Sequence, residues 1–372
     1  METTATTPSN DHDSIPERHT TVRRRLTGVL AAGALAGTSL IAGAAPAQAA
    51  TGVYVSGGTL YVNASTGWVN NNITVSHVWH NWQWQYQVTD ANDSVTLGTG
   101  CTRAAWNSVR CPNVSRITVN TYEGNDTVNA TTAIHPVTIS TGGGNDTARG
   151  GVANDNINGG NGTDWLYGRA GNDTMDVGPG VGWADGEAGN DTIWGDTSAD
   201  TLYGSNGDDT IYGWPGNDTI NGGNGYDRLH GQDGNDTMDV GPGVGWADGG
   251  AGNDTIWGDT AADTLYGSGG DDTIYGWPGN DYVYGGAGHD RLHGQAGSDR
   301  VYGQDGNDWL YGQDGADYLE GGVGNDSHYG GNDNDDIYSI DGSFWNDYVN
   351  GEAGWDRCRA DFGDTRINCE WS

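Results

Sequence analysis

The stretch Gly222-Gly223-Asn224-Gly225-Tyr226-Asp227-Arg228-Leu229-His230 decides how the chain is read. From Thr141 to Tyr338 the sequence divides into 22 consecutive nonapeptides of this form without an insertion. The sixth position is Asp in 20 of them, the fourth is Gly in 18, and the eighth is Ile, Leu, Val or Met in 18. A fixed period of this kind marks a repeat architecture. Turn-forming residues fill positions one to six, and Gly at the fourth suits a positive φ or a close backbone approach. The last three positions predict a short strand whose middle side chain points inward. One repeat cannot bury its single apolar residue alone. Stacked coils of two nonapeptides each give two parallel sheets around a thin core of Ile and Leu. The 22 repeats predict eleven coils, a rod of roughly 50 Å at about 4.8 Å per coil. The expected fold class is therefore all-β, a parallel β-roll or β-solenoid.

Stacking brings the sixth-position aspartates of alternate repeats into line along each edge. Two carboxylates about 5 Å apart repel by roughly 3 kcal/mol at an effective dielectric near 20. Repeated along both edges, that repulsion would defeat so thin a core. A hard cation with oxygen ligands reverses the sign. Ca²⁺ accepts six to eight oxygens in flexible geometry, backbone carbonyls included, whereas Mg²⁺ demands a tight octahedron and retains water.

These residues resemble the RTX, or hemolysin-type, calcium-binding repeat, whose consensus is G-G-x-G-x-D-x-U-x with U large and apolar. The likeness is strong over 141–338, and outlying copies extend it at Thr121–Asn129, Gly342–Asn350 and Gly351–Arg359. It implies a β-roll with several Ca²⁺ ions held between successive turns by the sixth-position Asp and by backbone carbonyls. Carried over residue by residue, that role falls on Asp126, Asp146, Asp155, Asp164, Asp173, Asp191, Asp200, Asp209, Asp218, Asp227 and Asp236. It continues on Asp254, Asp263, Asp272, Asp281, Asp290, Asp299, Asp308, Asp317, Asp326, Asp335 and Asp347. The competing reading is a solvated acidic surface, against which the strict nine-residue spacing argues. Pairing neighbours along each edge gives about 16 ions at most, if one ion bridges each pair. The whole layout is also similar to small secreted calcium-binding proteins of actinobacteria.

Two repeats depart from the pattern. Val-Gly-Pro-Gly-Val-Gly-Trp-Ala-Asp occurs at 177–185 and 240–248, so Gly182 and Gly245 replace the sixth-position Asp. Their inward residues are only Ala184 and Ala247, and a lost site with a local bulge is expected at each. His328 takes an inward position near the end, where a polar cap suits a solenoid. Residues 168–230 and 231–293 are nearly identical at an offset of 63, or seven nonapeptides. Seven is odd, so the two copies should lie on opposite faces. The ninth position is Tyr or Trp in 12 repeats, six to each face. Such outward ladders suit either packing between neighbouring strands or carbohydrate and surface adhesion, and the even split favours packing.

Outside the repeats, residues 50–120 read as a β-rich cap, with short strands between Gly, Asn and Ser turns. Trp82-Gln83-Trp84-Gln85-Tyr86 places three aromatics on one strand face, expected to pack on the first coil, with a sugar platform as the alternative. The roll extends over 121–359, and 360–372 forms a second cap. Cys101 with Cys111 and Cys358 with Cys369 read as two local disulfides, because no C-x-x-C metal spacing is present.

Residues 1–49 read as an export signal: Arg23-Arg24-Arg25, an apolar run from Leu26 to about Ala45, then Ala47-Gln48-Ala49. The mature chain keeps 46 acids against 11 arginines, a net charge of −35. That charge excludes nucleic acid and anionic lipid as partners and invites cations. No transmembrane segment is expected after cleavage. No Ser-His-Asp, H-E-x-x-H or isolated paired-acid arrangement interrupts the repeats, so an enzyme is not expected. The expectation is a secreted, non-catalytic calcium-binding protein that folds on Ca²⁺ outside the cell. The alternatives are a carbohydrate- or surface-binding adhesin and, behind it, a polysaccharide-active β-helix enzyme.

Overall fold

The computed structural model describes residues 50–64, 66, 67, 69–341 and 347–370. The expected export signal over 1–49 lies outside the described residues. Those residues contain 35 strands and no helix. Over the regular repeats the strands alternate between two parallel sheets, and each pairs with the strand one coil, or 18 residues, away: Ile157 faces Met175 on one sheet and Leu166 faces Ala184 on the other. This is the β-roll that the nonapeptide period predicts.

The inward residues form two columns. On one sheet Ile157, Met175, Ile193, Ile211 and Leu229 follow one another, and on the other Leu202, Ile220, Met238, Ile256 and Ile274. All are at most 1% exposed. Each contributes about 1.5–3 kcal/mol of burial, so the core is long but one side chain deep on either side. His328 continues the second column between Leu310 and Val349 and is fully buried.

The roll has about fourteen turns, against the eleven expected from the regular repeats. Irregular coils at both ends account for the difference: the step from Asp126 to Asp146 is 20 residues and that from Asp326 to Asp347 is 21. Many strands are also longer than three residues. Arg228–Asp233 runs into the following turn because pairing resumes there, with Gln232 opposite Gly250. The expected bulges are absent. The register passes from Asp164 through Gly182 and from Arg228 through Trp246 without a shift, since a Gly-for-Asp exchange removes a side chain and leaves the backbone ladder intact.

The segment before the roll joins it through parallel pairing. Strand β1 (Ala50–Ser56) forms a hairpin with β2 (Thr59–Asn63), and β2 lies parallel to β8 (Arg116–Asn120). Strand β3 (Asn72–His80) forms a hairpin with β4 (Gln83–Asp90), pairs in parallel with β9 (Thr127–Asn129), and leaves β4 to meet β7 (Ser108–Pro112) antiparallel. Antiparallel partners end the parallel stack and cover its open edge. Disulfides join Cys101 to Cys111 and Cys358 to Cys369.

The tryptophan-rich hairpin corrects one expectation. Trp82 is not in a strand. It shares the tight turn with Asn81, both at positive φ, and is 91% exposed. Trp79 and Trp84, directly opposed across the hairpin, are more than half exposed. Only Tyr86 packs inward, its hydroxyl 2.9 Å from Nδ1 of His135. The hairpin overruns the core: pairing of β4 with β7 stops at Gln85 and that of β3 with β9 at Thr74, and beyond these points the described residues meet it through side-chain bonds such as Gln83 to Asn113.

Candidate calcium columns

The turn before each strand buries its sixth-position aspartate at the edge of the roll. Asp146, Asp164, Asp227 and Asp290 are all 0% exposed, which rules out a solvated acidic surface. Wherever an aspartate follows one coil on, the backbone N–H donates to its Oδ1. Asp209 donates to Asp227 at 2.8 Å and Asp272 to Asp290 at 2.8 Å. The result is two columns. One runs through Asp126, Asp146 and Asp164, passes Gly182, and continues from Asp200 through Asp218, Asp236, Asp254, Asp272, Asp290, Asp308, Asp326 and Asp347. The other runs through Asp155, Asp173, Asp191, Asp209 and Asp227, passes Gly245, and continues from Asp263 through Asp281, Asp299, Asp317 and Asp335. The structure thus brings all 22 predicted aspartates into line, and the two gaps fall on opposite edges, as the odd seven-repeat offset requires.

The second carboxylate oxygen carries the chemistry. Oδ2 is buried without a hydrogen-bond donor in Asp146, Asp164, Asp173, Asp191, Asp209, Asp218, Asp227 and Asp236, and again in Asp254, Asp272, Asp281, Asp290, Asp299, Asp308, Asp317, Asp326 and Asp335. A buried acceptor left unpaired costs about 1–3 kcal/mol, more when charged. The protein supplies further oxygens beside it. A methyl group on Gly159 would meet Oδ2 of Asp164 at 2.6 Å and the carbonyl oxygen of Val177, one coil on, at 2.7 Å. The same pair, Asp227 Oδ2 and Val240 O, converges on Gly222 at 2.6 Å each. First-position glycine is therefore dictated by the carboxylate that lies over it.

Left without a cation, these carboxyls resist ionisation. Burial first, and neighbouring aspartates after it, push Asp173, Asp254, Asp281, Asp308 and Asp335 up to about 8. Asp164, Asp209, Asp218, Asp272, Asp317 and Asp326 rise to about 7 for the same main reason. Among the described residues no three His, Cys, Asp or Glu side chains gather around one point. A cation must take much of its shell from backbone carbonyls, which suits a hard, many-coordinate ion such as Ca²⁺ and not a soft transition metal.

The sequence pattern of one known family, described as RTX calcium-binding nonapeptide repeat (4 copies), matches at 138–181, 185–220, 215–247, 241–273, 248–283, 257–292, 293–327 and 311–343. Together these cover more than half of the chain. This chain belongs to the RTX calcium-binding nonapeptide repeat family. No curated protein matches it. RTX repeats are calcium-binding, and the columns of buried aspartates run through the matched repeats.

Not every RTX turn is alike. In three repeats the fourth position is Ala or Ser, and there Oδ2 is satisfied locally. Gly151 donates to Asp155, Asp196 to Asp200 at 2.8 Å, and Asp259 to Asp263 at 3.0 Å. Oδ2 of Asp347 accepts from Ser339. These four carboxylates are the poorest fits to a cation among those predicted. Sequence reasoning also left out residues that extend the columns. Asp335 donates to Asp356, whose Oδ2 is buried and unpaired, while Asp347 donates to Asp364 and Asp356 to Glu370. Asp356 is the sixth residue of the outlying copy Gly351–Arg359 and was legible there. Asp364 and Glu370 fall out of period and carry no such signal.

The ninth-position aromatics are half-buried by one another. Tyr266, Tyr284 and Tyr302 stack at 4.7 and 4.9 Å, and Tyr275, His293, Tyr311 and Tyr329 at 4.8, 4.6 and 4.9 Å. Stacks of this kind stabilise a parallel ladder by about 0.5–1.5 kcal/mol per pair.

Proposed function

We propose that this is an exported, non-catalytic protein whose roll folds on binding Ca²⁺ outside the cell. The columns of buried, unpaired Oδ2 atoms carry the reading. Each is a buried carboxylate oxygen that the protein leaves uncompensated, and most lie beside a backbone carbonyl of the next coil. In the cytosol, where Ca²⁺ is scarce, the acidic chain stays open. Outside, millimolar Ca²⁺ meets sites of the weak extracellular class and the coils assemble cooperatively. The disulfides Cys101–Cys111 and Cys358–Cys369 are compatible with an oxidising compartment. A chain that folds only after export suits a secretion route for unfolded proteins.

Far-ultraviolet circular dichroism of the EDTA-treated protein, titrated separately with Ca²⁺ and Mg²⁺, tests this. A steep gain of β signal with Ca²⁺ alone is expected. A fully folded spectrum in EDTA at neutral pH would overturn the folding mechanism.

A further inference from the structure

His328 stands apart from every other inward residue of the regular roll. In the 22 nonapeptides the eighth position is otherwise apolar. The imidazole does not cap a free end. It lies between Leu310 and Val349, is fully buried, and neither ring nitrogen has a hydrogen-bond partner. An apolar column gives it no partner, and buried polar atoms left unpaired destabilise a fold.

A second unpaired atom lies beside it. Residues i and i+2 of a strand share a face, and two residues before His328 the Oδ2 of Asp326 is buried without a donor. The two atoms converge on one turn. A Cβ on Gly321 would meet Nε2 of His328 at 2.7 Å next to Oδ2 of Asp326. At Gly330 the corresponding atoms are Oδ2 of Asp335 and, at 2.7 Å, the carbonyl oxygen of Gly351 in the next coil. A nitrogen thus stands where the neighbouring turn presents an oxygen. The coil also changes here: the step from Asp308 to Asp326 is 18 residues and that from Asp326 to Asp347 is 21. The carboxylates of Asp347 and Asp341 bear on Asp326 from the longer coil.

We propose that His328 and Asp326 hold a single Zn²⁺-class ion, set into a column otherwise suited to Ca²⁺. Calcium takes oxygen ligands, whereas neutral imidazole suits Zn²⁺ and its first-row neighbours. Burial holds His328 down to about 4, so at neutral pH the ring is uncharged with a lone pair to give. The backbone of Tyr348, on the opposing strand, acts on the ring in the other direction and suits a proton on the nitrogen that does not bind metal. Among the described residues no third His, Cys, Asp or Glu side chain joins the pair, so backbone oxygens or water complete the shell. With His328 fully buried, the ion enters as the coil closes, during folding. The inference rests on reading the columns as cation sites.

The test uses Co²⁺ as the probe, because its visible absorption reports its ligands. Protein stripped of metal in denaturant is refolded in excess Ca²⁺ with a slight excess of Co²⁺, desalted, and assayed for cobalt and by circular dichroism. One retained cobalt ion per chain is expected, kept out by Zn²⁺ added during refolding but not by Ca²⁺. His328→Leu, which restores the regular repeat, should fold and retain none. Asp326→Asn should hold cobalt about ten-fold less tightly or worse. His77→Ala/His135→Ala removes the histidine pair whose rings lie 6.4 Å apart in the N-terminal cap and should change nothing. A folded parent without cobalt would overturn the proposal, as would retention undiminished in His328→Leu. If His328→Leu does not fold, undiminished retention in folded Asp326→Asn overturns it equally. Cobalt is counted on folded protein, so a roll that folds without Ca²⁺ sinks the calcium reading alone, and a calcium-folded roll without cobalt sinks this one alone.

Discussion

The side chain of Val177 fills the space beside Gly182 that a carboxylate takes in the surrounding repeats. A Cβ on Gly182 would run into the Cβ and both Cγ atoms of Val177. In an ordinary repeat the same space is shared the other way, by Gly159 at the first position and Asp164 at the sixth. Val240 and Gly245 repeat the exchange on the opposite edge. In all but the first repeat, where Thr141 precedes Asp146, the first and sixth positions thus form one steric unit, Gly with Asp or Val with Gly, and the second form replaces a cation ligand by an apolar plug that belongs to the core.

That relationship makes a paired prediction. Gly182→Asp alone forces a carboxylate against the valine and should destabilise the roll by about 3 kcal/mol or more, the usual cost of an uncompensated buried charge. Val177→Gly/Gly182→Asp restores the common form and should add Ca²⁺ binding between Asp164 and Asp200. Isothermal titration would register the added stoichiometry. An unchanged ion count in a folded double variant would show that the plug is not what interrupts the column.

Within a column, Asp290→Asn separates the two tasks of the side chain. The amide oxygen still accepts the N–H of Asp272, and the new amide nitrogen meets the carbonyl of Gly303, near which Oδ2 now lies. Removing a buried charge should favour the metal-free roll, so that the EDTA-treated variant keeps its β signal to higher pH than the parent, since burial raises Asp290 to about 6. It should also weaken the response to Ca²⁺, shifting the folding midpoint to higher concentration. Opposite signs in the two conditions are the signature of a ligand; a loss in both would mean a purely structural aspartate.

These cases show where the sequence was legible. Nine-residue spacing exposed the coil, the two columns and their opposite-edge gaps, because each follows from periodicity alone. The absent bulge at Gly182 depended on Val177, five residues away, and on what fills space between them, which a single-position reading misses. The exposed Trp79 and Trp84 depended on where the core stops beneath β3 and β4. No alternation of residues records that point, since both belong to the face that buries Ile73 and Val75 further along the strand.

Acid should replace calcium. In the metal-free roll the buried carboxyls rise from the ordinary value of about 3.9 to about 6 in Asp236 and Asp299, about 7 in Asp218 and about 8 in Asp254. A group whose folded pKa is raised contributes its full stability below the unfolded pKa and loses it as pH rises through the folded value. EDTA-treated protein should therefore hold its β signal near pH 5 and lose it between pH 6 and 8, with Ca²⁺ restoring it at pH 8. His328 works against this, because burial lowers it to about 4 and its contribution is lost as pH falls from about 6.5 towards 4. One histidine against many carboxyls leaves the balance with the aspartates. A metal-free roll equally unfolded at pH 5 and pH 8 would count against buried carboxylate charge as the barrier to folding.

The C-terminal disulfide should act locally. Cys358 ends one inward column, opposite Ile337, and its bond to Cys369 closes a loop of 11 residues over the last coil. In the chain-entropy treatment a loop of that length contributes about 3 kcal/mol. The neighbouring strands Tyr348–Ala353 and Thr365–Ile367 are paired only with their parallel partners, and the outer face of the latter is exposed. Cys358→Ala/Cys369→Ala should therefore fray the coils carrying Asp347 and Asp356 while the central coils keep their protection. Hydrogen exchange in Ca²⁺ would locate the effect, with faster exchange confined to residues beyond about Asp335. Because stacked coils are coupled mainly to their nearest neighbours, uniform loss of protection along the whole roll would mean that the coils unfold as one unit and that the cap nucleates it.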